Sequence, residues 1–420
     1  MTVGRADANA GIRDTARKQT PAAAILRNTD LQCSRSKPTN LAPAGTLALT
    51  LGLATDKAAP RNGSLANVVS TSVKATVYHG PRDVRVETVP DPALRTPGDA
   101  IVRVVNAAIC GSDLWPYRGI RQWEPGSRLG HEFTGIVEAV GAGVHGVRPG
   151  DFVAAPFAFS DGTCVYCHEG LQTSCPHGGF WGGTDNDGGQ GEFVRVPYAD
   201  ATLVGIPDAI RADRAKRVAA LALTDVMGTG FHGVKAAGFA RGNDVVVVGD
   251  GAVGLCAVIA ARYLGAHRIV SVGHHAGRLA MATQFGATDT IDSKDADAAE
   301  RVRELTAGGA PSVVEAVGVQ ATLDLALAMA RDGGTVSFVG VPAEMNSIDF
   351  SRLFSHNIAV RGALAPVRAY LPELMTALAD GKIDPSPVFT QLLPLDGSPD
   401  GYAAMDGRSA IKVCLEVSAA

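Results

Sequence analysis

Apolar positions along this chain change their spacing partway through. Between Lys74 and Phe157, short β-branched runs alternate with turn clusters. The runs are Lys74–His79, Val84–Val89, Ala100–Ala108, Arg128–Val140 and Asp151–Phe157, broken at Gly80-Pro81, Pro97-Gly98-Asp99 and Pro149-Gly150. Such a pattern predicts a β-rich unit. Helical periodicity enters only near Ala209. From there strand-like runs at Val245–Val248, Arg268–Val272, Thr290–Ile291, Val313–Ala316, Thr335–Val339 and Ile358–Gly362 alternate with helices. Strict alternation of that kind predicts an α/β, doubly wound parallel sheet. Beyond Pro366 the pattern holds one helix, Tyr370–Ala379, and a last strand, Ile411–Val417, expected to return to the β-rich unit.

The first 72 residues stand apart. They contain no Phe, Tyr or Trp, and nine Lys/Arg against four Asp/Glu give them a charge of +5, so the rest of the chain carries −9 of the total −4. A segment with so little to bury is expected to be disordered. Its Leu41–Ala54 run lies too far in for an ordinary signal peptide, while its basic, acid-poor composition also resembles an organelle transit peptide. The expected organisation is therefore an extension (1–72), a β-rich domain (73–220, completed by 364–420) and a doubly wound domain (221–363). No apolar run approaches the roughly 18 residues of a membrane span, and the net charge offers nothing to a nucleic acid. Seven cysteines, three of them clustered, suit metal ligation in a reducing cytoplasm better than a disulfide framework.

One stretch organises the doubly wound half. Val245–Val248 runs straight into Gly249-Asp250-Gly251-Ala252-Val253-Gly254, a helical pattern follows to Leu264, and a second strand comes after Gly265-Ala266. Strand, G-x-G-x-x-G, helix and strand form the dinucleotide-binding fingerprint. Gly249 makes the tight turn, Gly251 lets a pyrophosphate approach, and Gly254 lets helix and strand pack. The helix N-terminus offers its free N–H groups to the phosphates.

Three further stretches demand a chemical explanation: Cys110-Gly111-Ser112-Asp113, Gly130-His131-Glu132, and Leu223 to Gly233 with Asp225 near its start. Taken singly, Cys110 reads as a buried thiol, His131 as a core histidine and Asp225 as a helix N-cap. Taken together, they resemble the zinc-dependent medium-chain alcohol dehydrogenases, from Val73 to the C-terminus. The resemblance implies a GroES-like catalytic domain and a Rossmann domain, with Val73-Lys74-Ala75 where members of the family begin. It implies Cys110, His131 and Asp225 as ligands of a catalytic zinc, the aspartate as in a branch of bacterial secondary-alcohol dehydrogenases. Thiolate, imidazole and carboxylate leave one tetrahedral position open for substrate. Glu132 would exchange with substrate or water, Asp113 would orient His131, and Ser112 would pass the alcohol proton. Trp115 stands where many members carry a proton-relaying histidine, so it and Trp181 are candidate pocket walls, with ordinary core packing as the alternative. Thr229 and Gly340-Val341-Pro342 would flank the nicotinamide, and Lys412 would contact the pyrophosphate.

The cluster Asp161, Cys164, Cys167 and Cys175 has the spacing of that family's structural zinc lobe, with aspartate in place of the first cysteine. His168 and His177 are rival fourth ligands, and a lobe without metal is the alternative. Cofactor choice turns on the end of the second strand. Gly273 stands where NAD-specific folds carry Asp or Glu, and His274, His275 and Arg278 follow. The absence of a repelling carboxylate favours NADP over NAD. The expected function is an NAD(P)-linked zinc alcohol dehydrogenase or carbonyl reductase. It would act on a small alcohol, aldehyde or ketone as a homo-oligomer, dimer or tetramer. A zinc-free quinone or enoyl reductase of the same fold and a non-catalytic NADPH-binding protein are the alternatives.

Overall fold

The computed structural model describes residues 72–183, 186–342 and 345–420, so residues 1–71 of the extension expected to be disordered lie outside the described residues. Ser72 opens a hairpin of Ser72–Gly80 with Asp83–Pro90.

The β-rich half is built on Ala100–Ile109, an almost wholly buried strand. Glu132–Val140 and the final strand Lys412–Glu416 flank it antiparallel, with Cys414 opposite Ala108. Phe152–Ala155, Val204–Gly205, Phe193–Val196 and Phe389–Pro394 complete a seven-stranded sheet. The return of the C-terminus to this half is as the hydrophobic pattern predicts. The pattern missed Phe389–Pro394 and the helix Ser398–Asp406. Their sequences are punctuated by Pro394, Gly397, Pro399 and Gly401, which read as loop. The expected strand from Arg128 begins only at Glu132, because Gly130 takes a φ of +98° that an extended strand cannot continue through.

The other half is a six-stranded parallel sheet. Its order is Asp289–Asp292, Ile269–Gly273, Val245–Val248, Ala310–Glu315, Ala330–Phe338, Ala359–Gly362. This is the doubly wound 3-2-1-4-5-6 arrangement. All four valines of the central strand are buried, as expected where helices cover both faces. The helix Ala252–Leu264 leaves the glycine turn, and a Cβ on Gly254 would lie 1.9 Å from the Gly249 carbonyl, so only glycine permits that start.

One helix, Val226–Ala236, positions the site. It packs along Ala252–Leu264 so closely that a Cβ on Gly230 would stand 2.5 Å from the Ala257 backbone nitrogen. A single continuous apolar core runs from Val105 and Ile136 of the β-rich sheet through Phe231 to Val245 and Leu255. The N-terminal end of this helix is thereby held rigidly against the β-rich half. Among the described residues, no helix is long and apolar enough to cross a membrane.

Candidate active site

Strand Ala100–Ile109 ends by delivering Cys110 into a single 3₁₀ turn, Gly111–Asp113. Asp113 folds back, its Oδ2 accepting the Cys110 N–H at 3.0 Å. The neighbouring strand starts at Glu132, placing His131 one residue before it. Phe157, just past Phe152–Ala155, donates its N–H to the Thr224 carbonyl at 3.0 Å, which ties the Asp225 corner to the sheet. Three chain segments therefore end at one point.

There, Asp225 Oδ2 lies 3.4 Å from Cys110 Sγ and 3.3 Å from His131 Nε2. Asp225 occupies the N-cap position of Val226–Ala236 by backbone, yet its side chain caps nothing. Its other oxygen accepts the Thr229 hydroxyl at 2.9 Å. The carboxylate has turned away from the free helix amides toward the thiol and the imidazole. His131 Nδ1 faces Asp113 Oδ1 at 3.3 Å, leaving Nε2 for the cluster. Cys110, His131, Glu132 and Asp225 each offer a ligand atom within 4.8 Å of the others. Soft thiolate, imidazole and carboxylates so arranged fit a zinc ion.

The electrostatics suit that donor set. Burial, then the Asp225 charge, pushes the Cys110 thiol up. Burial opposes charge on His131, but Asp113 and Cys110 outweigh it and hold the imidazole well above its usual range. Asp225 stays below the carboxylate range despite burial, chiefly through its hydrogen bond to His131. A cation binding here displaces protons from the thiol and the imidazole.

Glu132 is fully buried. One of its oxygens meets Lys412 Nζ, and the other has no hydrogen-bond partner. Lys412, expected at the pyrophosphate, is instead buried beneath this centre, donating also to the Ile109 carbonyl. Its strand register, with Lys412 opposite Phe389, turns the side chain inward. Trp181 also departs from the pocket role. It is core, donating to the Pro156 carbonyl at 2.7 Å and packed edge-on against Phe133 and Phe159. Trp115 and Ser112 are half-buried.

Several residues at the site escaped sequence reasoning. Gln190 donates to Asp113 Oδ2 at 3.3 Å and to the Ala108 carbonyl, and accepts from Tyr402 at 3.0 Å. A glutamine flanked by Gly188-Gly189 and Gly191 was the only signal. Phe157 stands edge-on to His131, with Phe180 stacked on it at 6.1 Å, a partly exposed aromatic wall.

In the cysteine lobe, Asp161, Cys164, Cys167 and Cys175 form a second compact donor set. Asp161 Oδ1 accepts the N–H groups of Thr163 and Cys164, and Oδ2 pairs with His177 Nδ1 at 2.6 Å. That pairing, with the Thr163 amide, holds Asp161 far below the carboxylate range. His177 thus orients the aspartate, while His168 is exposed and outside the set. At the glycine turn, Gly251 caps the helix Ala252–Leu264, Gly340 abuts Gly318, and Val341 is exposed.

Residues 96–208 match the alcohol dehydrogenase GroES-like domain and residues 252–380 the zinc-binding dehydrogenase domain. An uncharacterised zinc-type alcohol dehydrogenase-like protein of Bacillus subtilis is 33% identical, over 82% of this chain and all of its own. An alcohol dehydrogenase from Thermus sp. ATN1 superposes with a TM-score of 0.77 at 37% identity, covering 82% of this chain and 100% of that one. A zinc-binding dehydrogenase structure from Sinorhizobium meliloti superposes at 0.72 with 27% identity, covering 83% and 100%. Two domain matches in the right order, full-length relatives and a donor set at the junction of the two halves agree: the chain belongs to the zinc-dependent medium-chain alcohol dehydrogenases, an oxidoreductase family.

Proposed function

We propose that Cys110, His131 and Asp225 hold a catalytic zinc, with Glu132 beside it, and that the chain interconverts a small alcohol with its aldehyde or ketone. The observation that carries this is the Asp225 side chain, which forgoes its helix cap to face Cys110 and His131. Bound zinc supplies Lewis acidity at the substrate oxygen, and the nicotinamide supplies the hydride chemistry. The chain's own residues set the stage. Asp113 holds the Nδ1 proton of His131 and so directs Nε2 inward, and Gln190 with Tyr402 fixes Asp113. Thr229 fixes Asp225. Phe157 and Phe180 keep water from one side and favour an apolar substrate. Ser112, in the 3₁₀ turn that follows Cys110, takes the hydroxyl proton. Lys412 keeps one oxygen of Glu132 engaged and leaves the other free for exchange.

Asp161, Cys164, Cys167 and Cys175 hold a structural zinc on this reading, and all six cysteines among the described residues are free, consistent with a reducing cytoplasm. NADP is the preferred cofactor. The strand ends at Gly273, basic residues follow, and the Sinorhizobium meliloti neighbour was solved bound to NADP. A homo-oligomer is inferred from Phe350 and Phe354, 76% and 88% exposed beside the open edge strand Ala359–Gly362. A sedimentation mass of one chain would exclude it.

The whole reading is tested by assaying short and branched alcohols with both cofactors before and after chelation. Activity lost on chelation, restored by zinc and higher in kcat/KM with NADP is expected; metal-independent turnover would sink it. Asp225→Asn should yield a folded, cofactor-binding protein that lacks one zinc and does not turn over. Near-normal activity would leave Cys110, His131 and Glu132 as the donors. Asp161→Ala should release about one zinc per chain and lower Tm, since structural zinc contributes directly to folding. Unchanged metal content in that variant would remove Asp161 from the lobe.

A further inference from the structure

The glycine turn and the strand beside it bring together a further donor set, separate from the Asp225 corner and from the cysteine lobe. Asp250, inside Gly249-Asp250-Gly251, lies against the end of strand Ile269–Gly273, where a Cβ on Gly273 would stand 2.5 Å from its Oδ2. Beyond Gly273 the chain bends at His274, and His275 then takes the N-cap position of the helix Ala276–Phe285. Neighbouring side chains on an extended chain point to opposite faces. The bend overrides this and sets the two imidazoles side by side, with ring centroids 4.0 Å apart and planes inclined at 36°. Asp250, His274 and His275 each offer a ligand atom within 4.8 Å of the others.

Part of this cluster has an ordinary structural explanation. Asp250 is 6% exposed, and its Oδ2 accepts the N–H groups of His274 at 2.8 Å and His275 at 2.9 Å. His275 Nδ1 faces the same oxygen at 3.0 Å, and Arg278 stands 3.7 Å from Oδ1. These contacts tie the start of the helix to the glycine turn. They do not account for the His274 ring. It forms no hydrogen bond or ion pair among the described residues, and although exposed it is folded against His275. Two imidazoles at that distance repel each other if both are protonated. Burial, then His275, pushes His274 below the ordinary imidazole range, so its ring is neutral and has a lone pair to offer. Burial opposes the charge of Asp250, but the hydrogen bonds from His275 and His274 hold it below the carboxylate range.

We infer that His274, His275 and Asp250 form a third metal site, for a divalent cation of the zinc, nickel or cobalt class. The donors decide the class. Magnesium and calcium take oxygen ligands, whereas imidazole nitrogen suits the later transition metals, and no thiolate is present to select copper(I). The site holds its ion more weakly than the two cysteine-bearing sets, because Arg278 sets a positive charge beside it and His274 leaves it open to water. It therefore fills and empties with the free metal concentration. The inference does not depend on which dinucleotide the chain binds.

Equilibrium dialysis of the zinc-loaded full chain against excess Zn²⁺ tests it. Wild type should bind about one zinc per chain more than His274→Ala, and excess Mg²⁺ or Ca²⁺ should not displace that ion. Asp250→Asn, which keeps an acceptor for the two amides, should lose the same ion. Without excess zinc His274→Ala should unfold at the wild-type Tm, so a lost ion is not a lost fold. The readout is a difference between wild type and variant, so it stands whatever number of ions the other two sets hold. A cluster that only ties down the helix predicts equal zinc in wild type and His274→Ala, and that result overturns the inference. Displacement by Mg²⁺ or Ca²⁺, or retention of the ion by Asp250→Asn, overturns it as well.

Discussion

A carboxylate buried beside a thiol and an imidazole is the constraint around which this molecule is arranged. Taking Asp225 out of water is costly, and the cost is offset only if its oxygens are engaged. Thr229 takes one oxygen, and the other faces Cys110 and His131. That arrangement demands that three chain segments, ending near residues 110, 131 and 225, stay registered to within a hydrogen-bond length. The glycine-lined helix Val226–Ala236 supplies the register by seating on Ala252–Leu264 without intervening side chains. The helix after the glycine turn and the Asp225 corner are thereby parts of one packed layer.

Beneath the centre lies a second buried charge problem, with a related solution. Glu132 and Lys412 are fully enclosed and answer each other. Burial pushes Glu132 up, opposed by Lys412, while Glu132 and its neighbours hold Lys412 protonated against burial. Removing either partner from such a pair strands the other and costs about 3–5 kcal/mol. The C-terminal strand therefore does more than complete a sheet. It carries the counter-charge of Glu132.

Much of this was written locally in the chain. The valine run, the glycine turn and the alternation of strands and helices specify the doubly wound half, because buried parallel strands need continuous apolar β-branched residues and the pyrophosphate turn needs glycine. Cys110-Gly-Ser-Asp113 and His131-Glu132 stood out as candidates too, since each sets two side chains able to bind a metal or a proton within a few residues of each other. What the chain left open were roles that two geometries satisfy equally. Asp225 ahead of a helix suits a cap or a metal donor, and only the direction of its side chain separates them. Lys412 and Trp181 went to the interior because strand register and aromatic packing, set by segments far away, decide which way they face. Asp250 and Tyr402 had no local signature of these contacts, and Gln190 had only the glycines around it. Their partners lie 24 residues or more away in the chain for Asp250 and 212 for the Tyr402–Gln190 pair. A contact of that span exists only once the half that holds it has folded, so tertiary structure alone could assign it.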